Sequence, residues 1–184
     1  MRKFLFVKVF VVLLALFGFS RVASAQEEAF NKGDMIINVG IGVGNYITHK
    51  GYSNNILPIL GSFEYAVVDL FDGKGGIGVG GYVAYTSFEG IGEKKINDWN
   101  ASNLIIGPRG LFHYQFIEKL DTYAGVMFGY DICSYKQLDP DLPGSVFRSG
   151  FFVGARYYIT DNIGVFAELG YNVAPLELGV CYKF

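Results

Sequence analysis

From Asn38 to the end the chain alternates, with apolar side chains at every second position and glycine, small polar residues or single charges between them. Val39, Ile41 and Val43 oppose Asn38, Gly40, Gly42 and Gly44; Ile59, Phe63, Tyr65 and Val67 oppose Leu60, Ser62, Glu64 and Ala66. Ile77, Val79, Val83 and Tyr85 oppose Gly78, Gly80, Tyr82 and Thr86. Leu104, Ile106, Phe112, Tyr114 and Phe116 oppose Asn103, Arg109, His113 and Gln115. The same pattern returns around Val126–Ile132, Phe151–Ile159, Ile163–Tyr171 and in the closing stretch LELGVCYKF. A period of two marks strands with two different faces, and these segments predict eight of them. Several run roughly ten residues, the length of a tilted strand that crosses a bilayer. Pro58 and Pro108 interrupt the second and fourth, so each is expected near a strand end or at an irregularity, because proline removes a ladder donor.

The connections alternate too. Those after strands one, three and five are long and polar (NYITHKGYSNN, FEGIGEKKINDWNA, CSYKQLDPDLPGSV), whereas VDLFDGKG, IEKLD and TDN are short. The last hairpin, NVAPL, allows only a tight turn on the long-loop side. Long loops at one end and short turns at the other suit a membrane barrel with both termini at the short-turn end.

Alternation alone does not say which face meets water. A soluble barrel of the lipocalin kind would turn its apolar set inward and its polar set outward. Here the polar set is mostly glycine, with a few charges: Glu64, Arg109, Asp131, Arg148, Arg156, Glu168, Glu177 and Lys183. That set makes a poor solvent surface and a good interior, where glycine relieves crowding and four acids face four bases. The expected fold is therefore all-β, an eight-stranded antiparallel up-and-down transmembrane β-barrel. Its apolar face meets lipid and its charges form a network in the lumen.

Composition supports this. Charged residues are 17% of the chain, against roughly 25% in ordinary soluble domains, while aromatics reach 17% and glycines number 25. The first 25 residues carry Arg2 and Lys3, an apolar run, and Ala23-Ser24-Ala25. They are expected to be a cleaved signal peptide, leaving residues 26–184 as the barrel domain in the outer membrane. Removing them takes away Arg2, Lys3, Lys8 and Arg21, so the mature chain is acidic and offers no basic excess for nucleic acid.

The signal peptide, the eight alternating segments and the terminal aromatic together resemble the small outer-membrane barrels of the OmpA, OmpX and OmpW type, single-domain "outer membrane protein β-barrel" chains. GARYYITDNIGVFAELGY, residues 154 to 171, is similar to the penultimate hairpin of such barrels. The resemblance implies that Leu176, Leu178, Val180, Tyr182 and Phe184 form the assembly signal read by the barrel-assembly machinery. It also implies outer-membrane lipid and lipopolysaccharide as surroundings; because the sequence stops at the barrel, no OmpA-type peptidoglycan-binding domain is expected to follow. The family is functionally mixed, so the surface ligand stays open.

Candidate chemistry is sparse. Gly76, Gly78 and Gly81 match a dinucleotide pattern that needs a following helix, and a strand follows instead. Asn100-Ala101-Ser102 is a glycosylation sequon without meaning in a bacterial outer membrane. The two histidines, His49 in the first loop and His113 on the lumen side, have no neighbouring serine to activate. His49, His113, Cys133 and Cys181 lack metal-ligand spacing, and Asp139 and Asp141 read as a polar turn rather than a calcium site. Cys133 and Cys181 fall at opposite heights of the barrel and are expected to remain unbridged. No catalytic residue, metal or cofactor is assigned.

Eight strands leave room for little beyond their own side chains, so a general porin is disfavoured. A structural or surface-interaction role is expected. The alternatives are a narrow channel or binder for small hydrophobic or ionic solutes, with Leu60, Ile105 and Leu111 along an apolar stretch, and a lipid-modifying enzyme. Tyr46, Tyr52, Phe88, Trp99 and Tyr135 are candidates for interfacial anchoring or loop contacts.

Overall fold

The computed structural model describes residues 29–49, 51–93, 100–135 and 144–184. The expected signal peptide, Trp99 and the Asp139/Asp141 turn lie outside them. Eight strands follow in order: β1 (Met35–Val43), β2 (Tyr52–Leu70), β3 (Gly75–Gly90), β4 (Asn100–Ile117), β5 (Leu120–Tyr135), β6 (Val146–Tyr158), β7 (Ile163–Gly170) and β8 (Leu176–Lys183). Each pairs antiparallel with its neighbour, and β1 pairs with β8 from Ile36↔Lys183 to Val43↔Leu176, so the barrel closes without a free edge.

The strands are unequal. β2 and β4 have 19 and 18 residues, whereas β7 and β8 have 8 each. Sequence reading counted the ends of β2 through β5 as loop because apolar alternation stops there, yet backbone pairing continues from Tyr52↔Gly90 to Ala101↔Tyr135. One wall of the barrel therefore rises above the other at the end opposite the chain termini, called the upper end below.

The prolines sit at irregularities well inside their strands. Pro58 falls in a register shift between Ile56 and Ile59. Pro108 pairs with Gly81 on one side, while the ladder to β5 breaks between Ile106↔Tyr130 and Arg109↔Met127. Both keep their strands continuous by placing the missing donor where pairing already lapses.

The expected faces are the observed ones. Along β3, Ile77, Val79, Val83 and Tyr85 are 41–49% exposed, whereas Tyr82 and Ala84 are almost fully covered. Phe71, Phe112, Tyr114 and Phe116 form a chain of edge-on ring contacts at the lower end, joined near the barrel seam by Tyr182 against Phe184 at 4.8 Å. Exposed apolar side chains thus surround the barrel, and the buried core lies within it. Inward glycines let the walls approach. A Cβ on Gly80 would stand 1.9 Å from the Phe63 carbonyl oxygen, so only hydrogen fits.

Candidate functional site

The inward residues stack in layers. At the lower mouth the segment before β1 folds back inside: Phe30, 4% exposed, packs with Ala29, Ile36, Ala66, Tyr158 and Cys181. It is tied by Ala29 N donating to Gln115 Oε1 (2.8 Å), Lys32 N to Asp69 Oδ1 (2.5 Å) and Gly33 N to the Ala66 carbonyl (2.9 Å). Its ring lies flat on His113, centroids 3.7 Å apart and planes 7° off parallel.

Above it four side chains from four strands close a ring. Arg156 donates from Nη1 to Asp121 Oδ2 (2.9 Å) and from Nη2 to Glu64 Oε2 (2.5 Å). The other oxygen of each carboxylate faces His113, Asp121 Oδ1 at 2.8 Å from Nδ1 and Glu64 Oε1 at 2.5 Å from Nε2. Carboxylate oxygens only accept, so a ring with both nitrogens facing them suits the doubly protonated imidazolium, hydrogen-bonded at Nδ1 and in ion-pair contact without hydrogen-bond alignment at Nε2. Two acids then balance two bases. Arg156 Nε also donates to Asn38 Oδ1 (3.2 Å), Asn38 donates to Ser62 Oγ (2.8 Å), and the guanidinium lies 4.4 Å from the Tyr123 ring centre. All of these groups are buried, and in a low-dielectric interior such a ring holds only if every member is paired.

The next layer joins Arg109 to Glu168 (Nη2 to Oε1, 2.7 Å), with the Tyr123 hydroxyl donating to the same oxygen (2.9 Å). Arg109 lies 4.1 Å over the Phe152 ring. Glu177, directly across the strands from Glu168, accepts from the Tyr82 hydroxyl (2.9 Å). One carboxylate thus holds the guanidinium, and its neighbour across the strands is held by a tyrosine hydroxyl.

Higher still, Arg148 Nε donates to Asp131 Oδ2 (2.7 Å), Asn103 donates to Asp131 Oδ1 (2.7 Å), and His49 Nε2 sits 3.0 Å from Asn103 Oδ1. Ile47 and Val173, both nearly inaccessible, close the upper mouth beside Phe88. Tyr46 N donates to the Val173 carbonyl (2.8 Å) and ties these two caps together.

Of the charges expected to face the lumen, Glu64, Arg109, Asp131, Arg156, Glu168 and Glu177 are buried inside the barrel, and Arg148 and Lys183 are half-buried towards its two ends. They do not pair only among themselves. Arg156 pairs with Asp121 as well as Glu64, Glu64 also faces His113, Glu177 uses a tyrosine, and Lys183 stands at the lower rim, 4.0 Å from Asp34 and 5.1 Å from the Tyr158 ring centre. Asp121 was read as part of the IEKLD turn; the turn is shorter, and Asp121 is already on β5. His49, placed in a loop by sequence, points into the barrel, and Phe88 is buried rather than interfacial. Tyr46, against Tyr171 at 4.6 Å, stays on the rim, while Tyr52 and Tyr135 pack on the core. Leu60, Ile105 and Leu111 are buried in one cluster with Met127, Phe152 and Phe166.

Cys133 and Cys181 are both unbridged. Among the described residues no three His, Cys, Asp or Glu side chains are grouped to hold a metal. On β8, Leu178 and Val180 point outward, Leu176 and Tyr182 are half-covered, and Phe184 N donates to the Met35 carbonyl (2.9 Å).

Fold and interior together define a closed, side-chain-filled eight-stranded barrel. The same architecture is found in Ail, the attachment invasion locus protein of Yersinia pestis, solved with the heparin analogue sucrose octasulfate. There the TM-score is 0.54 and identity 16%, over 84% of this chain and 100% of that one. The N-terminal barrel domain of Pseudomonas aeruginosa OprF is similar over 83% of this chain and 98% of its own (TM-score 0.50, 15% identity). A de novo designed transmembrane β-barrel matches over 84% of this chain and 98% of its own, at TM-score 0.50 and 18% identity. No protein-family model and no curated protein matches the chain.

Proposed function

We propose that this protein is an integral outer-membrane barrel that acts as a scaffold or surface-interaction module, without catalysis and without a solute path through its lumen. The observation that carries the reading is the filled interior: a Phe30 plug below, ion-paired layers at mid-height and the Ile47/Val173 cap above. The apolar outer belt, flanked by aromatic side chains at its lower end, is the surface a bilayer requires. Catalysis is disfavoured because both histidines are committed to buried partners, and among the described residues neither is paired with a serine hydroxyl. The partners in this reading are outer-membrane lipid, lipopolysaccharide and, during biogenesis, the barrel-assembly machinery acting on the β8 pattern.

Membrane fractionation combined with gel mobility before and after boiling tests the location. The folded protein is expected in the outer-membrane fraction with a heat-dependent shift. Recovery as a soluble periplasmic species would overturn the reading.

A further inference from the structure

The outer wall formed by β2, β3 and β4 differs from the rest of the belt. Inward glycines such as Gly80 are required by close backbone contact, but outward Gly61 and Gly81 are not. The nearest atoms to a Cβ there would be 3.7 and 4.0 Å away. A side chain at either position would meet only ordinary van der Waals contacts. The absence of side chains leaves a trough of about 430 Å³ on the outer face, floored by these two glycines and walled by Ile37, Val39, Phe63, Val83 and Ile106. The opposite wall instead presents bulky Phe151, Val153, Val165 and Leu169.

The strand register shows what lies above the trough. Val83 pairs with Ile106, and one outward step higher Tyr85 pairs with Leu104, itself opposite Ile132. The next outward row is Ser87↔Ser102↔Ser134, three hydroxyls side by side across three strands. Each outward step is two residues, ~7 Å along the strand, so the wall turns from hydrocarbon-like to hydroxylated within one row. That row opens into a second groove of about 300 Å³, lined by Asn55, Tyr85, Ser87, Asn100, Ser102 and Ser134 among others. Among the described residues its lining holds no Lys or Arg, and Glu89 faces Asn100 in the strand register at its upper edge. Amides, hydroxyls and an aromatic face suit the hydroxyls of a neutral sugar, which both donate and accept hydrogen bonds.

We propose that the β2–β4 wall is a binding site for one outer-leaflet glycolipid, with an acyl chain in the Gly61/Gly81 trough and the neutral sugar of its headgroup on the Ser87–Ser102–Ser134 row. The site rests on the membrane-barrel reading above. The two fail separately, because heat-dependent gel mobility reports the barrel whatever lipid it holds.

Native mass spectrometry of the delipidated, folded full chain tests the site. The probes are dioleoyl digalactosylglycerol, dioleoyl phosphatidylglycerol and free digalactose. The galactolipid should be retained about ten-fold more than the phospholipid, a preference of ~1.4 kcal/mol, and free digalactose should be lost. Gly81→Leu, which fills the trough, and separately the Ser87→Ala/Ser102→Ala pair, which leaves the backbone alone, should each abolish that preference. Ala155→Leu on the opposite wall should not. Equal retention of both lipids by the wild type, or a preference that survives both variants, overturns the site and leaves only annular lipid. Retention of free digalactose equal to that of the galactolipid overturns the acyl part.

Discussion

Arg156 and Glu64 meet at 2.5 Å, though 92 residues separate them in sequence, and neither side chain is more than 1% exposed. Such a pair gains from attraction only while every partner is present. Removing one leaves an ion without water or counter-charge.

Arg156→Met should therefore cost about 3–5 kcal/mol, since Glu64 and Asp121 lose their shared cation together. Urea unfolding of the protein inserted in vesicles measures it. Replacing Arg156, Glu64, Asp121 and His113 together by apolar residues of similar size should recover much of that loss, because no uncompensated charge is left behind.

Glu168 and Glu177 make opposite forecasts. Glu177→Gln removes repulsion between directly paired carboxylates while leaving Arg109 its partner, and should stabilise by roughly 0.5–1 kcal/mol. Glu168→Gln strips Arg109 of its carboxylate and should destabilise by about 2–4 kcal/mol. The same vesicle unfolding assay separates the two signs.

Gly80 and Gly81 are neighbours on opposite faces. Gly80→Ala drives a methyl into the Phe63 carbonyl and should cost at least 2 kcal/mol or block folding, the usual penalty of an overfilled contact being ~1–3 kcal/mol. Gly81→Ala should change stability by less than ~0.5 kcal/mol. Refolding yield, read from the gel shift, shows the contrast.

Phe30→Ala should loosen the lower plug while the strands hold. Cys181 shares that buried cluster, so in a Cys133→Ser background its maleimide labelling should rise about ten-fold, the factor that ~1.4 kcal/mol of lost local protection gives. Unchanged labelling would show that Phe30 does not seal this mouth.

Deleting Phe184 removes one hydrogen bond to Met35 and a ring contact with Tyr182. Stability should fall by only ~1 kcal/mol, whereas insertion should slow by a larger factor if the terminal aromatic is read during assembly. Pulse-chase appearance of the heat-shifted form measures the rate; an unchanged rate would remove the assembly role.

The faces of this barrel are legible in its sequence because side chains along a strand alternate, so inward Glu64, Arg156 and Glu168 stand out among apolar neighbours. Their partners are not legible. Which charges meet depends on how strands slide past one another around a closed sheet, and Asp121 reaches Arg156 only because β5 begins at Leu120. Alternation places Tyr82 inward but does not reveal that it holds Glu177, and Tyr123 carries no signal because tyrosine suits lipid interface and polar interior alike. Phe30 precedes the alternation altogether, and His49 and Ile47 sit in a connection with no period to read. The tall wall of β2–β5 was hidden for a related reason: above the apolar belt, its outward positions are serine and asparagine, the residues by which loops are ordinarily recognised.

In the proposed reading, side chains of the described residues fill the lumen between the Phe30 plug and the Ile47/Val173 cap. Planar-bilayer recording of the purified, refolded protein at about neutral pH tests it most directly. The filled lumen predicts a quiet baseline with no reproducible conductance steps, even when the gel shift confirms that nearly all of the protein is folded. Recurrent steps of uniform size from the wild type would contradict it.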